Sequence, residues 1–250
     1  MPGLDAISAA SLRTALDRHI PPRDTHRLGV CLVVDADRTL CVEDTGRVVG
    51  EAFGLNQPIR EVFEQLSYAD AAFKKVSRLW SGVQVGAYVS ELERVADRVR
   101  LRSCWKQIFD TLGDQVPILV VTAGIPQLWR RLLANEGYPL LPVLGGCHQR
   151  LDSYSISARS KQAVVTSLKA GGWKVIAAGD SCIDLPMLMA ADLALFVPDQ
   201  KGSPALRSKI SALPTVRHLL VDDQRFAGLT TCTAAQVAAL ILQGGICNAD

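Results

Sequence analysis

Short apolar runs that stop at a polar residue or a glycine recur along this chain, and they restrict it to a small set of folds. Gly29 to Val34, Val116 to Val121, Lys174 to Ala178, Leu193 to Val197 and Val216 to Val221 are each too short for a helix of ordinary length. They read as strands buried on both faces. Tyr138 to Leu144 reads as a further short strand, broken by Gly145-Gly146. Between them lie helical stretches: Pro126 to Asn135 with Gly137 beyond its end, Lys161 to Lys169 ended by Gly171-Gly172, a helix over Leu185 to Ala190, and Ala234 to Leu242. Such repeated βα units predict an α/β fold, a parallel sheet flanked by helices on both faces.

Polar residues sit where these strands end. Asp35 and Asp37 follow Leu32-Val33-Val34 with one residue between them, so on a continued strand they share a side. At the carboxyl end of a parallel strand they face the crevice in which open α/β sheets bind ligands. Two carboxylates that close repel each other unless one holds a proton or a cation sits between them. On their own they fit a ligand site or the cap of the next turn equally well. Thr122 follows Ile118 to Val121 and precedes Ala123-Gly124; Asp180 follows Val175 to Gly179, with Asp184 in the next turn; Lys161 opens a helix between these strands. If the strands are adjacent, carboxylates, a hydroxyl and an ammonium gather at one sheet edge. Carboxylates there suit a hard cation such as Mg²⁺. A hydroxyl, backbone N–H groups and a lysine suit phosphoryl oxygens.

The rest of the chain bounds this reading. With 250 residues, 48% hydrophobic and 21% charged, it can bury a full core. A net charge of +2 without a dense Lys/Arg run points away from nucleic acid. Seven cysteines, an odd number with no Cys-x-x-Cys pair, suggest reduced thiols and a cytoplasmic protein. No secretory leader and no apolar span of bilayer length is read in the sequence. Residues 1–26 form an N-terminal helical extension, with Leu4, Ile7, Leu12, Leu16 and Ile20 at near-helical spacing before Pro21-Pro22. The α/β core comprises 27–40 and 112–250. Residues 41–111 have helical periodicity, in four apolar faces around Val48, Val62, Val76 and Val95. An insertion of about seventy residues far exceeds an ordinary loop.

Order and spacing together resemble the haloacid dehalogenase-like (HAD) hydrolase superfamily. Asp35-Ala36-Asp37-Arg38-Thr39 is similar to its first motif, Val120-Val121-Thr122-Ala123-Gly124 to its second, Lys161 to its third and Gly179-Asp180-Ser181-Cys182-Ile183-Asp184 to its fourth. The resemblance implies a Rossmannoid sheet and roles for these residues. Asp35 becomes the nucleophile that forms an aspartyl-phosphate, and Asp37 the acid and base. Asp35, the carbonyl of Asp37, Asp180 and Asp184 hold Mg²⁺. Thr122, Ala123 and Lys161 hold the phosphoryl oxygens. Dehalogenases of the superfamily lack the second Asp, so Asp37 points to phosphate monoesters. The same intermediate also serves a phosphotransferase or phosphomutase, and the rival of another class is a non-catalytic binding module.

The helical segment resembles a C1 cap, and its size resembles that of the phosphoserine phosphatase branch. Asp44 falls where that branch carries a hinge Glu that reads the substrate amino group. Lys75 is the best match to its carboxylate-binding Arg, although lysine lacks the planar fork. Ala123, Ser181 and Ile183 replace Gly, Gly and Asn of the branch, which points away from phosphoserine. Phe53, Phe63, Tyr68, Phe73 and Trp80 are read as cap core, with one or two lining a pocket for a larger organic phosphate. His148 reads as a loop residue, and Trp129 and Trp173 as packing. The expected partner is a small-molecule phosphate, with no nucleic acid and no membrane.

Overall fold

The computed structural model describes residues 5–146, 154–197, 204–212, 216–219 and 231–244. Leu4, Cys147, His148, Leu220, Val221 and Cys247 lie outside them. A strand with no polar side chain must be covered on both faces, and β1 (Val30–Val34) is the case in point, since none of its residues exceeds 1% exposure. Burying each such Val or Leu contributes roughly 1.5–3 kcal/mol. β2 (Ile118–Thr122), β3 (Val143–Gly145), β4 (Lys174–Gly179), β5 (Leu193–Phe196), β6 (Val216–Leu219) and β7 (Thr231–Cys232) complete a parallel sheet of order β3-β2-β1-β4-β5-β6-β7. β1 lies between β2 and β4, with Val34 opposite both Val120 and Ala178. The chain moves outward from β1 to β2 and β3, then returns past β1 to β4. The strand order therefore reverses beside β1, where an open sheet leaves a crevice at its carboxyl edge.

Alternation along the strands divides the core in two. Leu32, Val34, Val120, Ile176 and Ala178 pack on α6 (Ser103–Leu112), α7 (Pro126–Asn135) and α11 (Ala234–Leu242). Cys31, Val33, Leu119, Val121, Val175 and Ala177 face α1 (Ala9–His19), α8 (Ala158–Ala170), α9 (Leu185–Ala190) and α10 (Pro204–Ser211). In α1 the Ser8 hydroxyl caps the helix by accepting the Ser11 N–H, and Leu12, Leu16 and Ile20 bury its apolar stripe. Four helices follow β1: α2 (Thr45–Ala52), α3 (Asn56–Leu66), α4 (Asp70–Trp80) and α5 (Val85–Ala96). Val49, Val62, Val76 and Trp80 join the core on the α7 side, and α5 packs directly on α7. The fifth helix of the 41–111 segment, α6, packs on α11, and Trp105 Nε1 donates to the Thr39 carbonyl at 2.8 Å. It therefore lies in the layer beside the sheet.

Some boundaries differ from the sequence reading. β3 keeps only the last two residues of the expected Tyr138 to Leu144 strand and takes in Gly145. α8 begins three residues early because the Ser157 hydroxyl accepts the Ser160 N–H, so Lys161 sits within the first turn instead of opening it. α10 and β7 escaped the pattern because, among its described side chains, α10 buries just Leu206 and Ile210, and β7 is two residues long. Among the described residues no helix is long and apolar enough to cross a membrane.

Candidate active site

Three strand ends meet at the crevice. Asp35 leaves β1 with its N–H donated to the Ala178 carbonyl at 2.9 Å, which holds the backbone in register with β4 for one more residue. Thr122 closes β2 on one side, and Asp180 follows β4 on the other. Strand geometry thus places three polar side chains within one edge before any loop is considered. Lys161 reaches them from α8. Its ammonium donates to Asp35 Oδ1 and, at 2.6 Å, to Asp184 Oδ1. Lys161, Asp35, Asp180, Asp184 and Thr122 are all buried.

The acidic group offers a set of ligand atoms to a cation. Asp35, Asp180 and Asp184 each offer a carboxylate oxygen within 4.8 Å of the others. Lys161 supplies one positive charge among them, and Arg38 Nε lies 3.8 Å from Asp180 Oδ2. Once ionised, three buried carboxylates against one buried ammonium carry net negative charge in a low-dielectric site, a donor set of oxygens that suits Mg²⁺. Asp184 is the most committed of them. Its Oδ2 accepts from Ser181 N at 3.0 Å, Ser181 Oγ at 2.6 Å and Asp180 N at 3.3 Å, so that although Asp184 stands at the N-cap of α9 its side chain makes no capping hydrogen bond there. Gly179 makes that fold-back possible, since a Cβ there would lie 2.5 Å from Asp184 Cβ. Thr39 Oγ1 donates to Asp35 Oδ2 at 3.2 Å.

Asp37 faces elsewhere. Its Oδ1 accepts from Thr45 N at 2.6 Å and Thr45 Oγ1 at 2.5 Å, at the start of α2, and its Oδ2 accepts from Trp129 Nε1 at 3.3 Å. Asp35 and Asp37 are therefore separated by their partners although one residue lies between them. Arg38, which follows, has φ 61°, a left-handed conformation uncommon for a side chain of that size. It directs Nη2 to Asp44 Oδ2 at 3.2 Å.

Burial sets the electrostatics. It pushes the Asp35 carboxyl up to about 7, with Asp184 adding to the shift and Lys161 opposing it. Burial and then Asp44 push Asp37 up to about 6 against the hydrogen bonds from Thr45 and Trp129. Asp180 is raised well above its ordinary value by burial, then by Asp184 and Asp35. Burial alone would lower Lys161, but Asp184 and Asp35 reverse the sign and keep it protonated.

A cavity of about 540 Å³ opens above this floor. Asp35, Asp37, Thr122, Ala123, Lys161 and Asp180 line it from the core, and Asp44, the N-cap of α2, from the helical segment. Lys75 is not brought to it. Phe73, Val76, Ser77 and Trp80 form the inward stripe of α4, and Lys75 is half a turn away, exposed and 3.5 Å from Gln65 Oε1. The wall instead carries Arg47 from α2 and Asn56, Arg60 and Phe63 from α3. The spacing of Asn56, Ile59, Arg60 and Phe63 is a helical stripe that could have been read, but its polar members gave no sign of facing inward. Tyr68 also lines the cavity, whereas Phe53 packs on the core instead. Trp129 packs as expected and in addition touches Asp37.

A parallel α/β core with acidic strand ends at its switch point defines a class of enzyme centre. The model of the haloacid dehalogenase-like hydrolase family matches residues 32–189, well over half of the chain, and the protein belongs to that family. Solved structures share the fold. A HAD family hydrolase from Salmonella enterica serovar Typhi superposes with a TM-score of 0.57 at 18% identity, over 81% of this chain and 75% of that one. A phosphoserine phosphatase in apo form gives 0.56 at 13% identity, over 85% and 97%. Cytosolic 5'-nucleotidase IIIB bound to cytidine gives 0.58 at 17% identity, over 94% and 92%. No curated protein matches the sequence.

Proposed function

We propose that this hydrolase is a Mg²⁺-dependent phosphatase that cleaves a small organic phosphate monoester through an aspartyl-phosphate on Asp35. The observation that carries the reading is the division of labour between two carboxylates one residue apart, Asp35 buried and Asp37 partly exposed. Asp35 faces Lys161 and Thr39 on the floor, and Asp37 faces Thr45 and Trp129 at its side. Membership of the family and a fold shared with phosphoserine phosphatases and a 5'-nucleotidase support it.

Asp35 attacks phosphorus, and the bond to the ester oxygen breaks as Asp37 gives that oxygen a proton. Water then attacks the phosphoryl-aspartate, Asp37 takes its proton, and Asp35 returns with release of phosphate. Thr122 and Ala123 hold phosphoryl oxygens at the end of β2. Lys161 has three N–H donors, two of them given to Asp35 and Asp184, and the third serves a phosphoryl oxygen. Asp35, Asp180 and the Asp37 carbonyl would hold Mg²⁺, with Asp184 contributing through water. The ion would supply positive charge that draws the substrate phosphate to the floor. α2 to α5 act as the cap that excludes water and selects substrate.

The substrate we propose is bulkier than phosphoserine. Phe63, Tyr68, Phe73 and Trp80 offer apolar contact, while Arg47 and Arg60 take over the anion-reading role expected of Lys75. Asp44 remains a hinge carboxylate facing the substrate. A cytoplasmic setting belongs to the same proposal and rests on the free thiols of Cys31 and Cys41. Phosphate release from a substrate panel with Mg²⁺ tests the whole reading. Turnover of bulky organic phosphates in preference to phosphoserine is expected, and the reverse preference overturns the substrate class. Binding without turnover would make the protein a binding module, and isomerised sugar phosphates would make it a phosphomutase.

A further inference from the structure

Asp37 can move a proton only through a lone pair that no fixed donor occupies. A carboxylate oxygen offers two. Both sites of Oδ1 are taken, by the Thr45 N–H at 2.6 Å and the Thr45 hydroxyl at 2.5 Å. Oδ2 accepts from Trp129 Nε1 at 3.3 Å and keeps its second site. Trp129 is fully buried in α7, so its N–H is a fixed point. Gly124 borders the same oxygen from the cavity side. A Cβ at that position would lie 2.6 Å from Oδ2, so a bare backbone leaves this oxygen its space.

We infer that Asp37 gives and takes its proton at Oδ2, and that Trp129 is the positioning residue that aims this oxygen at the substrate. The inference rests on the proposed role of Asp37 as acid and base. As the phosphorus–oxygen bond breaks, its electron pair goes to the leaving oxygen, which takes the proton from Oδ2. In the second half, the water oxygen bonds phosphorus, its proton returns to Oδ2, and the electron pair of the phosphoryl–Asp35 bond returns to Asp35. Trp129 touches neither substrate nor ion and acts through Asp37 alone.

Leaving groups separate this role from packing. An alkyl phosphate needs the proton in the bond-breaking step, whereas 4-nitrophenyl phosphate, whose leaving oxygen is stable as an anion, does not. In rapid-quench measurements with Mg²⁺, Trp129→Phe should slow phosphorylation by alkyl phosphates about tenfold, the worth of a well-placed hydrogen bond. It should slow phosphorylation by 4-nitrophenyl phosphate no more than about twofold, with KM unchanged. Equal losses on both substrates, or none on either, overturn the inference. If Trp129→Phe does not fold, benzothienylalanine at position 129 keeps the bicyclic shape and lacks the N–H, and the same two outcomes apply. Asp37→Asn is the separate control. Alkyl phosphate turnover that survives it refutes the role of Asp37, whereas its loss without a selective effect at Trp129 refutes only the positioning role.

Discussion

On the floor of the cavity Asp35, Thr122 and Asp180 sit at or just beyond the end of a buried strand, whereas on its wall Arg47, Arg60 and Phe63 project from helices. The floor is held from three directions: by sheet register, by Lys161 bridging Asp35 and Asp184, and by the Ser181 loop closed on Asp184. The wall rests on helix phase and on a few polar links to the core, such as Ser157 Oγ to Asp70 Oδ1 at 2.5 Å and Lys74 Nζ to Asp5 Oδ1 at 2.5 Å. A change on the floor therefore alters chemistry and stability together, because each group neutralises another in a buried place. A change on the wall alters the choice of molecule.

Asp35→Asn probes that contrast most severely. It should reduce Mg²⁺-dependent phosphate release by about 10³-fold or more on every substrate, since loss of a nucleophile is not compensated by its neighbours. Turnover near the wild-type rate would remove Asp35 from the chemistry. Lys161→Ala should come next, leaving Asp35 and Asp184 buried with no ammonium between them. Without divalent cation, denaturant titration should show a loss of about 3–5 kcal/mol. Millimolar Mg²⁺ should restore part of it; a stability loss that Mg²⁺ does not reduce would break the link between the acidic floor and a cation.

Proton linkage gives an intermediate effect. Asp35 and Asp37 are raised by burial to about 7 and about 6 from an ordinary value of 3.8. Across that window the folded protein holds more protons than the unfolded chain, so without cation these groups make it less stable as pH rises. A cation needs the ionised carboxylates. The increase in Tm caused by Mg²⁺ should thus be small near pH 5 and larger near pH 8, and Asp180→Asn should flatten it. A Tm increase independent of pH would contradict this floor.

The smallest effect belongs to the wall. Arg60→Ala should raise KM for an anionic organic phosphate several-fold, with kcat within about twofold, as expected when uniform binding is lost. Lys75→Ala should leave both within about twofold, because its side chain points away from the cavity. The opposite ranking would return the anion-reading role to α4.

The floor was legible because strand ends leave little freedom. An apolar run followed by Asp35-Ala36-Asp37, by Thr122 or by Asp180 states both where the strand stops and which residue comes next to the crevice. Lys161 is legible from a different signal, the start of a helix between two such strands, although that helix starts earlier once the Ser157 hydroxyl is counted as a cap. The wall was less legible. Lys75 and Arg60 are both cations on amphipathic helices, and only the direction of the apolar stripe distinguishes inward from outward. Trp129 read as packing, and nothing in its neighbourhood along the chain announces Asp37, which lies 92 positions away.

The order of strand-ending residues by itself determined the α/β sheet, the family and which residues were available to form an acidic edge. That information is local, since each strand needs only its own apolar pattern and its own last residue. Tertiary structure alone decided that β1 lies between β2 and β4, that the two neighbouring carboxylates turn to separate partners, and which cations face the cavity. The physical reason is that strand pairing, helix phase and the sharing of buried charge depend on contacts between distant segments, and those contacts are settled only when all the apolar faces are covered at once.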